Sequence, residues 1–227
     1  MKSLRGVLLD VDGTLVDSND AHAHAWVKAF GEHGLRVNFD AVRQRIGKGS
    51  DKLLPEVSGL TAESPRGKAI SDARQAIFLR EQLPRLRPFP KVRELLARMK
   101  QSGLRLTVAS SAKKPELERL LSICGAHEFL EAKTSSDDAE NSKPDPDIIL
   151  AALKEAELDA SDAVLVGDTP YDLEAATRAG VAMIALRCGG WKDVDFGGAL
   201  AIYDDPADLL DQFDKSPLSR SALRERR

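Results

Sequence analysis

Short apolar runs, each closed by small or polar residues, recur along the chain at Gly6–Leu9, Leu104–Ala109, Ala163–Val166 and Val181–Leu186. Runs this short, with little polar alternation, are expected of strands buried on both faces. "ALAIY", Ala199–Tyr203, is a weaker member of the set. Between the runs the period changes. Val92, Leu95, Leu96 and Met99 fall at i, i+3, i+4 and i+7, the spacing of one helix face. Leu117, Leu120, Leu121 and Cys124 repeat it, and Ile148, Ile149, Ala152, Leu153 and Ala156 do so again behind the helix-opening Pro146. Gly103, Gly125 and Gly180 stand where these helices should stop. Strands alternating with helices of this length predict βαβ units: an α/β fold with a parallel sheet and helices on both faces.

One section breaks the alternation. From about Asn19 to Leu86 the patterns are helical, with no good strand. Ala25, Trp26, Ala29 and Phe30 make one apolar face, and a second helix is expected from about Ala62 to Leu83. Pro84, Pro88 and Pro90 then mark a return to the alternating pattern. The expected organisation is a helical cap, residues 19–86, inserted after the first strand of a discontinuous core formed by residues 1–18 and 87–227.

Composition narrows the function by exclusion. The chain has 227 residues and a net charge of −3, with acids and bases well mixed. That balance gives neither a nucleic acid nor an acidic membrane a reason to bind. Only the tail, "SRSALRERR", is locally basic, and a solvated, frayed end is the expectation for it. Cys124 and Cys188 are far apart in apolar stretches and are read as two reduced thiols. No run has the length of a transmembrane span, and the N-terminal run is too short for a signal peptide, so a cytoplasmic protein is expected.

The chemistry lies where strands end. "VLLDVDGTLVDS" drives an apolar strand into Asp10, Asp12 and Asp17, with Gly13 between them. Carboxylates this close repel and raise one another's pKa. The next strong strand ends in Ser110 and Ser111, and a later one in Gly167–Asp168–Thr169 with Asp172 four residues on. "SKPDPD" puts Lys143 in a loop ahead of a helix. In open α/β sheets the carboxyl ends of the strands form the binding crevice, so these groups are expected to converge. Converging carboxylates need a cation. An oxygen ligand set beside a phosphate suits magnesium, which with Lys143 would hold Asp10 ionised and nucleophilic.

These segments resemble the haloacid dehalogenase-like hydrolases. "DVDGTLVDS" is similar to that family's first motif, Ser110 in "VASSAKK" to the second, Lys143 in "SKPDPD" to the third and "VGDTPYD" to the fourth. The resemblance implies a Rossmann-like core, with the small helical cap of the branch that includes phosphoglycolate phosphatases and β-phosphoglucomutases. It implies that Asp10 attacks phosphorus, that Asp12 serves as general acid and base, that Ser110 holds a phosphoryl oxygen, and that Lys143 holds nucleophile and phosphate together. Asp168 would bind magnesium with Asp10 and the backbone carbonyl of Asp12. Asp172 would orient the surroundings of the metal, or simply sit in the first turn of a helix. Gly13 and Thr14 fall where the family cradles phosphate with backbone N–H groups. An acidic residue two positions after the nucleophile is absent from the dehalogenases proper, so Asp12 favours a phosphate ester.

Among further candidates for substrate contact, His22 lies where relatives often turn a His toward the cleft, and Lys48 sits in a Gly-flanked cap loop. Ser111 replaces an Asn common in phosphoglycolate phosphatases and is either a contact or a loop hydroxyl. His24, Trp26 and Trp191 are read as surface or packing residues, and Asp137, Asp138 and Glu140 as a solvated loop. The reading is a magnesium-dependent phosphatase of a small phosphorylated metabolite, monomeric or homodimeric. Two rivals share the core motifs: a β-phosphoglucomutase-like mutase, and a non-catalytic phosphate-responsive module.

Overall fold

The computed structural model describes residues 4–219. Six parallel strands form one sheet in the order β3-β2-β1-β4-β5-β6: β1 Gly6–Leu9, β2 Arg105–Ala109, β3 Ala132–Thr134, β4 Ala163–Gly167, β5 Ala182–Leu186 and β6 Ala201–Tyr203. Strand β1 is central, with Leu9 in register with Val108 of β2 and Val166 of β4. The alternation of side chains across the pleat sorts the core into two halves. Val7, Leu9, Leu106, Val108, Val164 and Val166 face one way, toward α5 (Val92–Gln101), α6 (Lys114–Cys124) and α9 (Pro206–Asp211). Leu8, Ala109, Leu165 and Met183 face the other, toward α7 (Asp147–Ala156) and α8 (Pro170–Arg178). This is the expected α/β architecture, a Rossmann-like parallel sheet with helices on both faces.

Two details differ from the pattern. Strand β3 has no apolar run; it is an edge strand in which only Thr134 is buried, so nothing in "AKT" announces it. The weak candidate "ALAIY" contracts to Ala201–Tyr203. Cys124 and Cys188 are both free thiols. The basic run Arg220–Arg227 lies outside the described residues. Among those described, no helix is long and apolar enough to cross a membrane.

Between β1 and α5 the chain is helical: α1 Asn19–Glu32, α2 Phe39–Arg43, α3 Ser50–Ser58 and α4 Pro65–Ile77. The helix expected over 62–83 is α4 followed by a π-helical turn, Phe78–Gln82, and a 3₁₀ turn, Leu83–Arg85. The short α2 and α3 have too few turns to show a period. Helix α1 buries Asn19, His22, Ala23, Ala25, Trp26, Ala29 and Phe30. The apolar face read from Ala25 onward therefore extends back nearly two turns, through His22 to Asn19. The outgoing and returning segments run side by side, with Asp17 N–H donating to Arg87 O at 3.1 Å and Phe89 N–H to Leu15 O at 3.1 Å.

Candidate active site

The strand order reverses at β1, with β2 on one side and β4 on the other. That is the switch point where open α/β sheets bind ligands. Asp10 follows β1, Ser110 follows β2 and Asp168 follows β4, so three strand ends deliver polar groups to one crevice. The crevice is a cavity of about 330 Å³, lined by Asp10, Asp12 and Ser110 on the sheet side and by α1, α4 and the 46–51 loop on the other.

Asp10 is held from two sides. Lys143 Nζ donates to its Oδ1 at 2.6 Å and Thr14 Oγ1 to its Oδ2 at 3.2 Å. Lys143 is itself fully buried, donates to Ala109 O at 3.0 Å, and lies 2.6 Å from Asp172 Oδ1. Thr14 Oγ1 is also 2.9 Å from Asp168 Oδ1, and Asn19 Nδ2 donates to Asp168 Oδ2 at 2.8 Å. Asp172 sits in the first turn of α8, with its two carboxylate oxygens facing different partners. Its Oδ2 accepts from the N–H and hydroxyl of Thr169, capping α8, while its Oδ1 faces Lys143.

Three carboxylates, Asp10, Asp168 and Asp172, bring oxygens within 4.8 Å of one another. Against one ammonium they leave a charge of −2 when all are ionised. Burial first, then the neighbouring Asp172 and Asp12, push the Asp10 carboxyl up to about 7 despite Lys143. Asp168 rises well above the usual carboxylate range through burial and the charges of Asp10 and Asp172. The surroundings fit a divalent cation. Asn19 Oδ1 is buried with no donor. A Cβ on Gly13 would lie 2.2 Å from Asp168 Oδ2, and one on Gly189 would lie 1.9 Å from it, so only glycine leaves this carboxylate room. An all-oxygen donor set suits a hard cation.

Asp12 is outside that cluster. Its Oδ1 accepts from Ser18 Oγ at 2.5 Å and pairs with His22 Nε2 at 2.7 Å. Burial alone would raise its pKa, but His22, Ser18 and Arg74 together bring it below the usual value. Arg74 Nη2 lies 2.6 Å from His22 Nδ1. A guanidinium can only donate, so Nδ1 accepts and the hydrogen sits on Nε2, pointing at Asp12. Two carboxylates two residues apart thus have opposite environments.

Several expected contacts are arranged otherwise. The N–H groups of Gly13 and Thr14 are committed inside the turn, to Val16 O at 2.8 Å and Val11 O at 3.3 Å, so neither is free for phosphate. Thr14 instead serves the carboxylates through its hydroxyl. Lys48 lines the cavity, but its Nζ is 2.6 Å from Glu56 Oε1 and stands over the Tyr171 ring. Ser110 and Ser111 both line the cavity; Ser111 Oγ reaches Gly47 O at 3.5 Å. Trp26, Asp137 and Glu140 also line it, beyond the packing and loop roles read for them. Cys188 packs against the apolar core, and its Sγ also donates to Gly13 O at 3.2 Å; burial followed by the Asp168 charge raises its pKa. The sequence reading passed over Ser18, Asn19, Arg74 and Glu116. Asn19 sits three residues before His22 on the buried stripe of α1, and Arg74 lies between the buried Ile70 and Ile77 of α4, so the helix period could have found both.

The sequence profile of the haloacid dehalogenase-like hydrolases matches residues 7–186. The chain belongs to that family. Among hydrolases of this family it is 30% identical over 216 residues to a phosphoglycolate phosphatase of Rhodospirillum rubrum, covering 91% of this chain and 90% of the relative. It is 29% identical over 220 residues to an N-acetylmuramic acid 6-phosphate phosphatase of Pseudomonas aeruginosa, covering 94% and 96%. A solved hydrolase from Pseudomonas syringae superposes with a TM-score of 0.86 at 26% identity, over 93% of this chain and 98% of that one.

Proposed function

We propose that this phosphoric monoester hydrolase is a magnesium-dependent phosphatase of a small phosphorylated metabolite, working through a phosphoryl group carried on Asp10. The observation behind this reading is the contrast between Asp10, fixed by Lys143 and Thr14, and Asp12, fixed by Ser18 and His22, on one cavity wall. Related proteins that carry phosphatase names support it.

In the first step a lone pair of an Asp10 oxygen forms a bond to phosphorus. The bond from phosphorus to the ester oxygen breaks, and that oxygen takes a proton from the acid form of Asp12. In the second step Asp12, now a carboxylate, removes a proton from water. The water oxygen bonds to phosphorus and the Asp10–phosphorus bond breaks, which returns Asp10 and the acid form of Asp12. The His22 Nε2–H and the Ser18 hydroxyl favour the carboxylate of Asp12, the state the second step uses, and so make its acid form a stronger proton donor to the leaving oxygen in the first. Lys143 sits against the nucleophile and lies where it would meet the charge of the phosphoryl oxygens, with Ser110 at the same strand edge. Magnesium, held by Asp10, Asp168 and the backbone of Asp12, would supply charge neutralisation at the phosphoryl group.

The helical segment 19–86 is proposed as a cap over this chemistry, and the paired segments at Leu15–Asp17 and Arg87–Phe89 as its hinge. The proposed setting is the cytoplasm. The test is a screen of phosphorylated metabolites with magnesium, scored by phosphate release, with p-nitrophenyl phosphate as control. The reading expects release from at least one metabolite. Transfer of the phosphoryl group within the substrate, without release, would replace it with the mutase. No turnover of any ester would replace it with the binding module.

A further inference from the structure

We infer that the cavity wall formed by α4 and Glu116 is a charge-neutral subsite that selects an uncharged, hydroxyl-bearing leaving group, and that Glu116 sets this neutrality. The inference deepens the phosphatase reading and rests on it. Ser71, Arg74 and Gln75 stand at i, i+3 and i+4 on α4 and line the cavity together with Trp26 and Glu116. The positions share one helix face. Arg74 is the cation that α4 presents to the cavity, and it is already paired. Its Nη1 donates to Glu116 Oε2 at 2.8 Å, its Nη2 donates to His22, and its plane lies over Trp26 and Phe78.

The Glu116 side chain is 3% exposed and belongs to α6 of the sheet core, not to the helical segment that carries Arg74. A carboxylate or second phosphate on the substrate would have to displace a buried carboxylate and then lie beside it. Like charges in a desolvated site disfavour each other strongly. Lys48, the other cation from the helical segment, is neutralised in the same way by Glu56. What remains unpaired on this wall is polar and uncharged in its demand. Ser71 Oγ and Arg74 Nε are buried with no hydrogen-bond partner. Buried donors left unmade are costly, and hydroxyl oxygens would satisfy them.

The experiment compares two substrates of matched size, glycerol 3-phosphate and 3-phosphoglycerate, which differ at the far end by a hydroxymethyl group against a carboxylate. Each kcat/KM is divided by the same preparation's value for p-nitrophenyl phosphate, so a loss of folded enzyme cancels. The wild type should prefer glycerol 3-phosphate by about tenfold or more, a modest share of one desolvated like-charge contact. Glu116→Gln keeps a hydrogen-bonding partner for Arg74 but leaves its charge uncompensated, and should move the ratio toward 3-phosphoglycerate by about tenfold. Glu116→Asp, which restores the charge, should return the preference, and Ser71→Ala should weaken glycerol 3-phosphate selectively. A wild type that favours 3-phosphoglycerate while hydrolysing p-nitrophenyl phosphate would overturn the inference and leave the phosphatase reading standing. So would a ratio unmoved by Glu116→Gln. A wild type inert toward all three esters but releasing phosphate from another metabolite would overturn the inference alone, and one inert toward every phosphorylated metabolite would overturn both.

Discussion

Replacing Lys143 by Met tests the electrostatics on which the site depends. Met has similar reach and no charge, so the variant isolates the ammonium. It leaves Asp10, Asp168 and Asp172 clustered within 4.8 Å with no cation, and removes the hydrogen bond to Ala109 O. Lys143 and Asp172 side chains are each 1% exposed and Asp10 is 9%, so solvent screening barely discounts the loss. Removing one partner of a buried pair costs about 3–5 kcal/mol. For 227 residues at about 2.1 cal/mol/K each, the unfolding entropy is about 480 cal/mol/K, which converts the loss into a Tm lowered by about 6–10 °C.

The pH dependence has a definite sign. Asp10 has its folded pKa raised from 3.8 to about 7. A raised carboxyl contributes its stability fully below 3.8 and loses it as pH rises through about 7. Without Lys143 the folded carboxyl rises further and keeps its proton longer, so the gap between variant and wild type opens above about 7. Calorimetry in EDTA at about pH 5.5 and about pH 8 reads both quantities. Adding Asp172→Asn should recover a substantial part of the loss, because it removes one of the stranded charges. A Tm shift under about 2 °C at the higher pH, or a wider gap at the lower one, would refute this account of the cluster.

Chelation by EDTA should abolish phosphate release; magnesium should restore it and calcium should not, because calcium's larger, looser shell misplaces the nucleophile. Asp12→Ala should cost about 10²–10⁴-fold on an alkyl phosphate and much less on p-nitrophenyl phosphate, whose leaving group needs no proton. Equal losses in kcat/KM on the two, a quantity that the shared hydrolysis of the phosphorylated intermediate does not enter, would assign Asp12 a structural role. Lys48→Ala should change kcat/KM by less than about threefold for any ester, since its ammonium is already engaged by Glu56 and Tyr171. A selective loss on one metabolite would show that the pair opens for substrate.

The sheet and its site chemistry were legible because they rest on local signals. The buried strands are short and mostly apolar, and Asp10, Ser110 and Asp168 come directly after strands β1, β2 and β4. Strand β3 escaped because an edge strand with one buried side chain needs no apolar run. The π turn at Phe78–Gln82 escaped because it keeps the helix's apolar spacing while changing only its hydrogen bonds. The interactions around Asp12 were invisible for a different reason. Ser18, His22, Arg74 and Glu116 meet across 98 positions of chain, and only the packing of α1 against α4 and the reach of Arg74 from α4 to Glu116 on α6 bring them together. The free N–H groups expected at Gly13 and Thr14 failed because the tight turn after β1 consumes its own donors.

The central claim is that Asp10 carries the phosphoryl group, and the most direct measurement is phosphate release by Asp10→Asn under magnesium. The amide still accepts from Lys143 but cannot attack phosphorus, so turnover should fall by at least about 10⁴-fold while circular dichroism matches the wild type. Activity within about tenfold of wild type, in a folded variant, would contradict the covalent mechanism.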